Sequence, residues 1–190
     1  MAAEGVGRDF GMDRGKVFPA AHARSLVNPA RRLVQSPRRT VAAMQVPNTA
    51  CVLELGCGPG FFSPYLAATT RRLVLADVQF DMLRLARERL GARADVAHVQ
   101  ADGVALPLAD RCFDAVLIAT VLGEIPDPVA CLSEVWRILR PRGTLAIAET
   151  RRDSDFLGLA TLRDLVEPRG FTFLTRRGPR WQYVARFQRR

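Results

Sequence analysis

The sequence is short of the features that mark membrane, secreted and metal-binding proteins. No apolar run approaches the ~18 residues of a membrane-spanning helix, and residues 1–18 lack the apolar core of a signal peptide. The four cysteines stand singly, with no C-x-x-C pair and no histidine pair nearby, so free thiols are expected at Cys51, Cys57, Cys112 and Cys131. We therefore expect a cytoplasmic protein with no membrane span and no bound metal.

Lysine is nearly absent, since Lys16 is the only one, yet the chain carries a net charge of +9. The charge is uneven: residues 1–48 and 136–190 are rich in arginine, whereas residues 49–135 hold more acids than bases. A basic exterior around an acidic centre admits an anionic partner such as nucleic acid. Few aromatic residues interleave with the arginines, so we expect a solvated basic surface and no nucleic-acid partner.

The stretch that organises the chain, residues 51–63, reads CVLELGCGPGFFS. A strand pattern, a glycine-rich turn and the start of a helical pattern form a unit whose exposed amides can face a bound ligand. The nicotinamide-dinucleotide motif G-x-G-x-x-G does not fit, because Phe61 stands where its last glycine belongs. A phosphate-binding loop needs G-K-[ST], which is absent. Glu54, just before the turn, suits a ligand with an ammonium group better than one with phosphates.

This stretch resembles motif I of the class I S-adenosylmethionine (SAM)-dependent methyltransferases, roughly (V/L)-L-(D/E)-(L/V)-G-C-G-x-G. The resemblance covers most of residues 50–150: LADVQFDML is similar to the acidic-loop motif, ADGVALPLADRCFD to the adenine and fourth-strand motifs, and VWRILRPRGTLAIAE to the fifth-strand motif. Arg142 departs from the glycine usual in the L-K-P-G-G turn, and we expect only a surface loop to change. The resemblance implies SAM as cofactor and S-adenosylhomocysteine as product. It is nearest to small-molecule methyltransferases, such as the methyltransferase-like domain of ubiquinone and menaquinone biosynthesis.

The pattern along the chain predicts an α/β fold. From Val52 onward strand patterns alternate with helical patterns, and two last strand patterns form an antiparallel pair. We expect a Rossmann-like, doubly wound, seven-stranded sheet, mostly parallel with an antiparallel C-terminal strand and preceded by short N-terminal helices. The expected organisation is a flexible tail at 1–17, an N-terminal helical cap at 18–48 and a class I SAM-dependent methyltransferase domain at 49–190.

Residues that follow the predicted strands should line one pocket, because ligands of open parallel sheets sit where the winding reverses. Asp77, after the second strand, can accept from both ribose hydroxyls of a nucleoside. Asp102, after the third, can accept from an adenine amino group while the next amide donates to the ring, although Asp-Gly is also a common turn. The resemblance places Val78 against the adenine and the Ala119 backbone beside the methionine portion. The predicted cofactor residues are Glu54, Gly56, Cys57, Gly58, Gly60, Asp77, Val78, Asp102, Gly103 and Ala119.

The sequence marks catalytic residues less clearly than the cofactor site. Methyl transfer from a sulfonium needs alignment, and a base only where the acceptor loses a proton. Residues 120–127, after the fourth strand, lack the N/D-P-P-Y signature of amino-methylating enzymes and a metal-ligand set for catechol chemistry. Glu124 is placed to act as a base, although it could equally pair with an arginine. His22 is a second candidate, whereas His98, inside the third strand, is expected to be structural.

We therefore expect a methyltransferase that acts on a small molecule at O, N or C. Two alternatives stay open: an RNA or protein methyltransferase that docks through its basic flanks, and a non-catalytic SAM-binding regulatory or partner protein. The acceptor and the oligomeric state are left open as well. Because the loops after the fourth and fifth strands are short, we expect residues 18–45 to pack over the carboxyl edge of the sheet and form one wall of the acceptor pocket.

Overall fold

The computed structural model describes residues 23–28, 31 and 35–190. The predicted tail at 1–17, Phe18 and His22 lie outside the described residues, as does most of the segment 30–35, for which Asn28-Pro29 predicts a short helix. The boundaries predicted for the tail and the cap therefore stay predictions.

A single sheet of seven strands forms the centre of the fold. The strands are β1 (Cys51–Leu55), β2 (Arg72–Asp77), β3 (Val96–Gln100), β4 (Phe113–Ala119), β5 (Leu139–Thr150), β6 (Phe171–Arg177) and β7 (Gln182–Arg189). Their order is β3-β2-β1-β4-β5-β7-β6. Strands β1 to β5 pair in parallel, and β7 runs antiparallel to both β5 and β6. The predicted fold class is confirmed.

The described helices cover both faces of this sheet. They are α1 (Ala23–Leu26), α2 (Pro37–Met44), α3 (Ser63–Ala67), α4 (Phe80–Leu90), α5 (Pro128–Ile138) and α6 (Leu159–Val166). Two of them begin at a capping side chain followed by proline: Ser36 accepts the N–H of Arg39 at 3.4 Å, and Asp127 accepts the N–H of Ala130 at 2.9 Å. The Ser-Pro and Asp-Pro pairs in the sequence indicate both starts, because a capping side chain before proline suits the first turn of a helix.

The alternation of side chains along each strand divides the core in two. On one face Val52, Leu73 and Leu117 pack with apolar residues of α2, α3 and α4. On the other, Leu53 and Ile118 pack with apolar residues of α5 and α6. Burial of both faces explains why these strands read as continuous apolar runs. It also makes the described part of the N-terminal cap an integral part of the core, because α2 contributes to the first cluster.

The structure corrects several predicted boundaries. Helix α5 ends at Ile138 and not at Leu139, because Leu139 is extended and pairs with Phe113 at the start of a longer β5. Strand β5 therefore runs over 139–150, whereas the apolar pattern predicts a strand over 144–148 alone. Of the added residues, Leu139 pairs with β4, and Glu149 and Thr150 pair with β7. Partners of this kind cannot be read from the local sequence pattern.

Candidate active site

A cavity of about 270 Å³ lies at the point where the winding of the sheet reverses. Strands β1 and β4 are neighbours there, and the chain winds outward from them in both directions. Loops that follow β1, β2, β3 and β4 all contribute lining residues. Because parallel strands end at one edge, this is where an open α/β sheet binds a ligand. We call this the switch-point cavity.

The glycine turn after β1 forms one side of the switch-point cavity. Gly58 has φ +52°, in the left-handed region that favours glycine. A Cβ at Gly58 would point into open space, with Leu26 Cδ1 at 3.9 Å the one described heavy atom within 4 Å. The N–H groups of Gly56 and Cys57 donate to the carbonyl of Ala76 at 2.8 and 3.1 Å. These bonds tie the turn to β2, and the missing side chain of Gly58 leaves room for a ligand.

Two of the predicted cofactor residues lie beneath this turn and do not line the cavity. Gly60 packs the turn onto α4, because a Cβ there would stand 3.2 Å from the Ala86 backbone. Glu54 is 1% exposed and accepts the Ser63 hydroxyl at 2.6 Å. Burial raises the pKa of Glu54 to about 8, since the charged form loses its water. Direct contact of Glu54 with a cofactor stays a prediction.

Asp77, at the end of β2, joins two loops of the cavity. Its carboxylate accepts the N–H of Gly58 at 2.8 Å and the N–H of Gln79 at 2.9 Å. Asp77 is 6% exposed, and burial raises its pKa although these hydrogen bonds lower it. The side chain is thus held in place before any ligand arrives, which is how a preorganised acceptor is built.

Two more acids, Glu124 and Asp153, line the cavity. Glu124, in the loop after β4, is half-buried, and burial followed by the carboxylates of Asp155 and Asp153 raises its pKa to about 7. Among the described residues, no hydrogen bond or ion pair engages the Glu124 carboxylate, so the expected alternative of an arginine partner has no support there. Asp153, in the loop after β5, has a buried Oδ2 without a partner in the described part of the chain.

Arg31 is the one described arginine that lines the switch-point cavity. Its guanidinium lies 4.7 Å from the centre of the Phe61 ring and donates to Gln35 and, at 3.4 Å, to the Thr120 hydroxyl. Thr120 has φ +57°, a costly conformation for a β-branched residue. Its N–H is held by the carbonyl of Ala148 at 2.9 Å. Such strained residues cluster at functional sites.

The structure brings together most of the residues that the sequence singled out. Eight predicted cofactor residues line the switch-point cavity: Gly56, Cys57, Gly58, Asp77, Val78, Asp102, Gly103 and Ala119. Glu124 joins them, whereas His22 lies outside the described residues. Lining does not show ligand contact, so each of these roles stays a prediction.

Leu26 and Arg31 also line the cavity, and both lie in the segment 18–45 that was expected to form a wall of the acceptor pocket. Sequence reasoning singled out neither Arg31 nor Asp153, which lines the cavity as well. Asp153 follows β5, and the strand-end rule applied to four strands would have found it if extended to the fifth. No sequence signal marked Arg31, whose contacts come from Gln35 on the same segment and from the distant Thr120.

Comparison with known proteins identifies the family. A profile of the methyltransferase domain family matches residues 53–147, which is half of the chain and includes the glycine turn, Asp77 and Glu124. The chain belongs to this family. Its class I fold and its membership imply S-adenosylmethionine as the cofactor.

Three relatives illustrate the similarity. The chain is 39% identical over 98 residues to a demethylmenaquinone methyltransferase of Clavibacter sepedonicus, with 52% of this chain and 40% of the relative covered. It is 35% identical over 118 residues to the ubiquinone/menaquinone biosynthesis C-methyltransferase UbiE of Klebsiella pneumoniae, with 59% and 47% covered. The chain thus spans about half the length of these curated relatives. A SAM-dependent methyltransferase structure from Aquifex aeolicus shares the fold with a TM-score of 0.81 at 20% identity, covering 90% of this chain and 98% of that one.

Two further observations concern the described residues alone. None of their helices is both long and apolar enough to cross a bilayer. In the same part of the chain, no group of three or more His, Cys, Asp or Glu is placed to hold a metal ion.

Proposed function

We propose that this protein is a SAM-dependent methyltransferase that acts on a small molecule. The observation that carries the proposal is the switch-point cavity, in which Gly58 has free space beside its Cα and the lining holds several carboxylates. An acidic lining suits a cofactor that carries an ammonium and a sulfonium group, and a Cβ at Gly58 would occupy ligand space. The residues present therefore fit the cofactor that the family implies.

Named residues would hold the cofactor in this cavity. Asp77 would accept from the ribose hydroxyls, and Asp102 with the Gly103 amide would bind the adenine. Val78, which is 46% exposed, would lie against the adenine ring. The Ala119 backbone would meet the methionine portion. When bound, the cofactor supplies an electrophilic methyl group on sulfur.

Glu124 is the candidate base for an acceptor that loses a proton. With a pKa of about 7, close to neutral pH, its carboxylate is both available and basic enough to take a proton. Asp153 and Asp155 help to set this value, because nearby negative charge disfavours a further carboxylate. The chain's other contribution is alignment, since an in-line displacement requires sulfur, methyl and acceptor to be collinear.

A small-molecule acceptor is supported by the relatives, whose names place them in quinone biosynthesis. The four cysteines are free thiols, as suits a reducing compartment, which supports the cytoplasm as the proposed location. We propose no nucleic-acid partner. Specific, salt-sensitive binding of one tRNA or rRNA well above random RNA at physiological salt would overturn that expectation.

Binding and turnover test the function separately. Calorimetric titration should show S-adenosylhomocysteine binding, and a screen of metabolite extract should show consumption of SAM. With an acceptor from that screen, kcat/KM of the wild type should rise with pH through about 7, as Glu124 loses its proton. Glu124→Gln should remove this rise while cofactor affinity stays within about threefold.

Glu88→Gln is the matched control, because Glu88 is exposed on α4 and pairs with Arg84. An unchanged pH profile in Glu124→Gln would remove Glu124 as the base. Cofactor binding without turnover of any extract component would favour the non-catalytic SAM-binding alternative.

A further inference from the structure

A second cavity, of about 680 Å³, opens beside the first between α2 and the turn that joins β6 to β7. We call it the arginine cavity, after Arg39 and Arg177 in its lining. Ala148, on β5, lines the arginine cavity and is the register partner of Ala119, which lines the switch-point cavity. Each cavity is therefore lined by one residue of the same pair at the carboxyl end of β4 and β5.

One side-chain pair stands between them. Arg31 lines the switch-point cavity and Gln35 lines the arginine cavity. The guanidinium of Arg31 donates to Gln35 Oε1 from Nε at 3.2 Å and from Nη2 at 3.0 Å. Gln35 is 2% exposed. A molecule in the larger cavity is thus one polar contact away from the wall of the cofactor site.

The charged groups of the arginine cavity are all positive in the described part of the chain. Arg39 comes from α2 and Arg177 from the end of β6, and no described Asp or Glu lines the cavity. Neither guanidinium forms an ion pair or hydrogen bond with a described residue. Two free guanidinium groups facing one space create a field that attracts an anion.

Arg186 adds to this positive charge from β7. It donates to Gln45, another lining residue, and its Nε is buried without a partner among the described residues. Burial and the nearby guanidinium of Arg177 lower the pKa of Arg186. An anion bound near Arg177 would offset the repulsion between these two guanidinium groups.

The rest of the lining is apolar and aromatic. Trp181 is 49% exposed at the cavity although its indole is large and apolar. Ala43, Ala148 and Val184 line the cavity as well. An exposed tryptophan beside small apolar residues offers a stacking surface for a ring.

We propose that the arginine cavity is a second ligand site, which binds an organic anion with an aromatic or apolar body. The anionic group would pair with Arg39 and Arg177, and the ring would lie on Trp181. The Arg31–Gln35 pair keeps this site apart from the switch-point cavity, so the proposal goes beyond the proposed methyltransferase function.

A fluorescent dye pair tests the site. 1-Anilinonaphthalene-8-sulfonate is an aromatic anion, and N-phenyl-1-naphthylamine is its uncharged analogue. Both are titrated with and without saturating S-adenosylhomocysteine, at fixed salt of about 0.15 M so that only short-range charge pairs count. The double variant Arg39→Gln with Arg177→Gln should bind the anionic dye at least tenfold more weakly than the wild type. Its affinity for the neutral dye should stay within about twofold of the wild type.

The matched control exchanges the neighbouring arginines, Arg38→Gln with Arg176→Gln. These residues are exposed, do not line the cavity and change the net charge by the same amount. Their variant should bind both dyes as the wild type does. If both double variants lost the same affinity for the anionic dye, overall charge alone would explain the effect. If neither lost affinity, Arg39 and Arg177 would not bind the anion. Both results overturn the proposal.

Energy transfer from tryptophan locates the dye. Trp181→Phe should remove most of the transfer, whereas Trp136→Phe should keep it, because Trp136 packs on Arg189 from α5. The reverse pattern would place the dye elsewhere and overturn the site. Failure of S-adenosylhomocysteine to bind, with these dye results intact, would count against the proposed function and not against the anion site.

Discussion

The two cavities at the carboxyl edge of the sheet share a strand pair but differ in charge. The switch-point cavity is lined by four carboxylates and one arginine among its described residues: Asp77, Asp102, Glu124, Asp153 and Arg31. The described lining of the arginine cavity holds two arginines and no acid. The first suits a cationic cofactor and the second an anionic molecule, so each cavity disfavours the other's ligand.

The difference shows how opposite charges can be brought to one edge of a sheet. The acids come from the end of β2 and from the loops after β3, β4 and β5, whereas the arginines come from α2 and the end of β6. The Arg31–Gln35 pair separates the two sets. Variants that affect one cavity and spare the other test this division.

The largest effect is expected at Gly58. Gly58→Val should lower the affinity for S-adenosylhomocysteine, measured by calorimetry, at least a hundredfold. The added side chain would enter the switch-point cavity and would be strained by the left-handed backbone conformation. Binding of the anionic dye in the arginine cavity should stay within about twofold. Gly91→Val is the control, since Gly91 has φ +68° but no described atom within 4 Å. Equal loss of both ligands would mean that the cavities are not independent.

A smaller effect is expected at Asp77. Asp77→Ala should lower the affinity for S-adenosylhomocysteine at least tenfold, since a charge-assisted hydrogen bond contributes roughly 1.5–3 kcal/mol to binding. Asp77 also accepts from Gly58 and Gln79, so we expect the ligand-free protein to melt at a lower temperature. Asp81→Ala, on the exposed start of α4, should change neither quantity. An unchanged dissociation constant would reject Asp77 as a ribose acceptor.

The smallest effect is expected at Glu149, at the end of β5. Burial raises its pKa to about 8, and its Oε1 has no partner among the described residues. Between about pH 4.5 and 8 the unfolded chain releases a proton that the folded protein retains, so this group lowers stability as pH rises. The difference in melting temperature between Glu149→Gln and the wild type should therefore grow by several degrees in favour of the variant from pH 5 to 8.5. Above pH 8.5 this difference should stay constant.

Glu149 also sharpens the comparison of the cavities. It accepts the N–H of Leu157, whose carbonyl accepts the hydroxyl of Tyr183, a lining residue of the arginine cavity. Both ligands should therefore change affinity by less than about threefold in Glu149→Gln. Glu134→Gln is the control of opposite sign, because Arg137 holds the pKa of Glu134 low. If the difference in melting temperature between Glu149→Gln and the wild type did not change with pH, the raised pKa of Glu149 would be refuted.

Much of the switch-point cavity could be predicted because its residues follow local rules. Glycines between a strand and a helix mark the turn, and acids after strands two and three mark the carboxyl edge. Glu124 was found in the same way, but its raised pKa depends on burial and, after that, on Asp155 and Asp153, which lie in another loop. The arginine cavity had no such signal, since Arg39 and Arg177 are distant in sequence and resemble ordinary surface charges.

The sequence by itself determined the sheet, its winding and the place of the glycine turn, because apolar period and glycine position act over a few residues. It also determined the family, through motifs whose order follows the strands. Only the tertiary structure decided that Glu54 is buried under the turn, that Arg31 bonds to Gln35 and Thr120, and that two cavities of opposite charge share a strand pair. Those features depend on burial and on charges brought together from distant segments, and a linear pattern does not contain these distances.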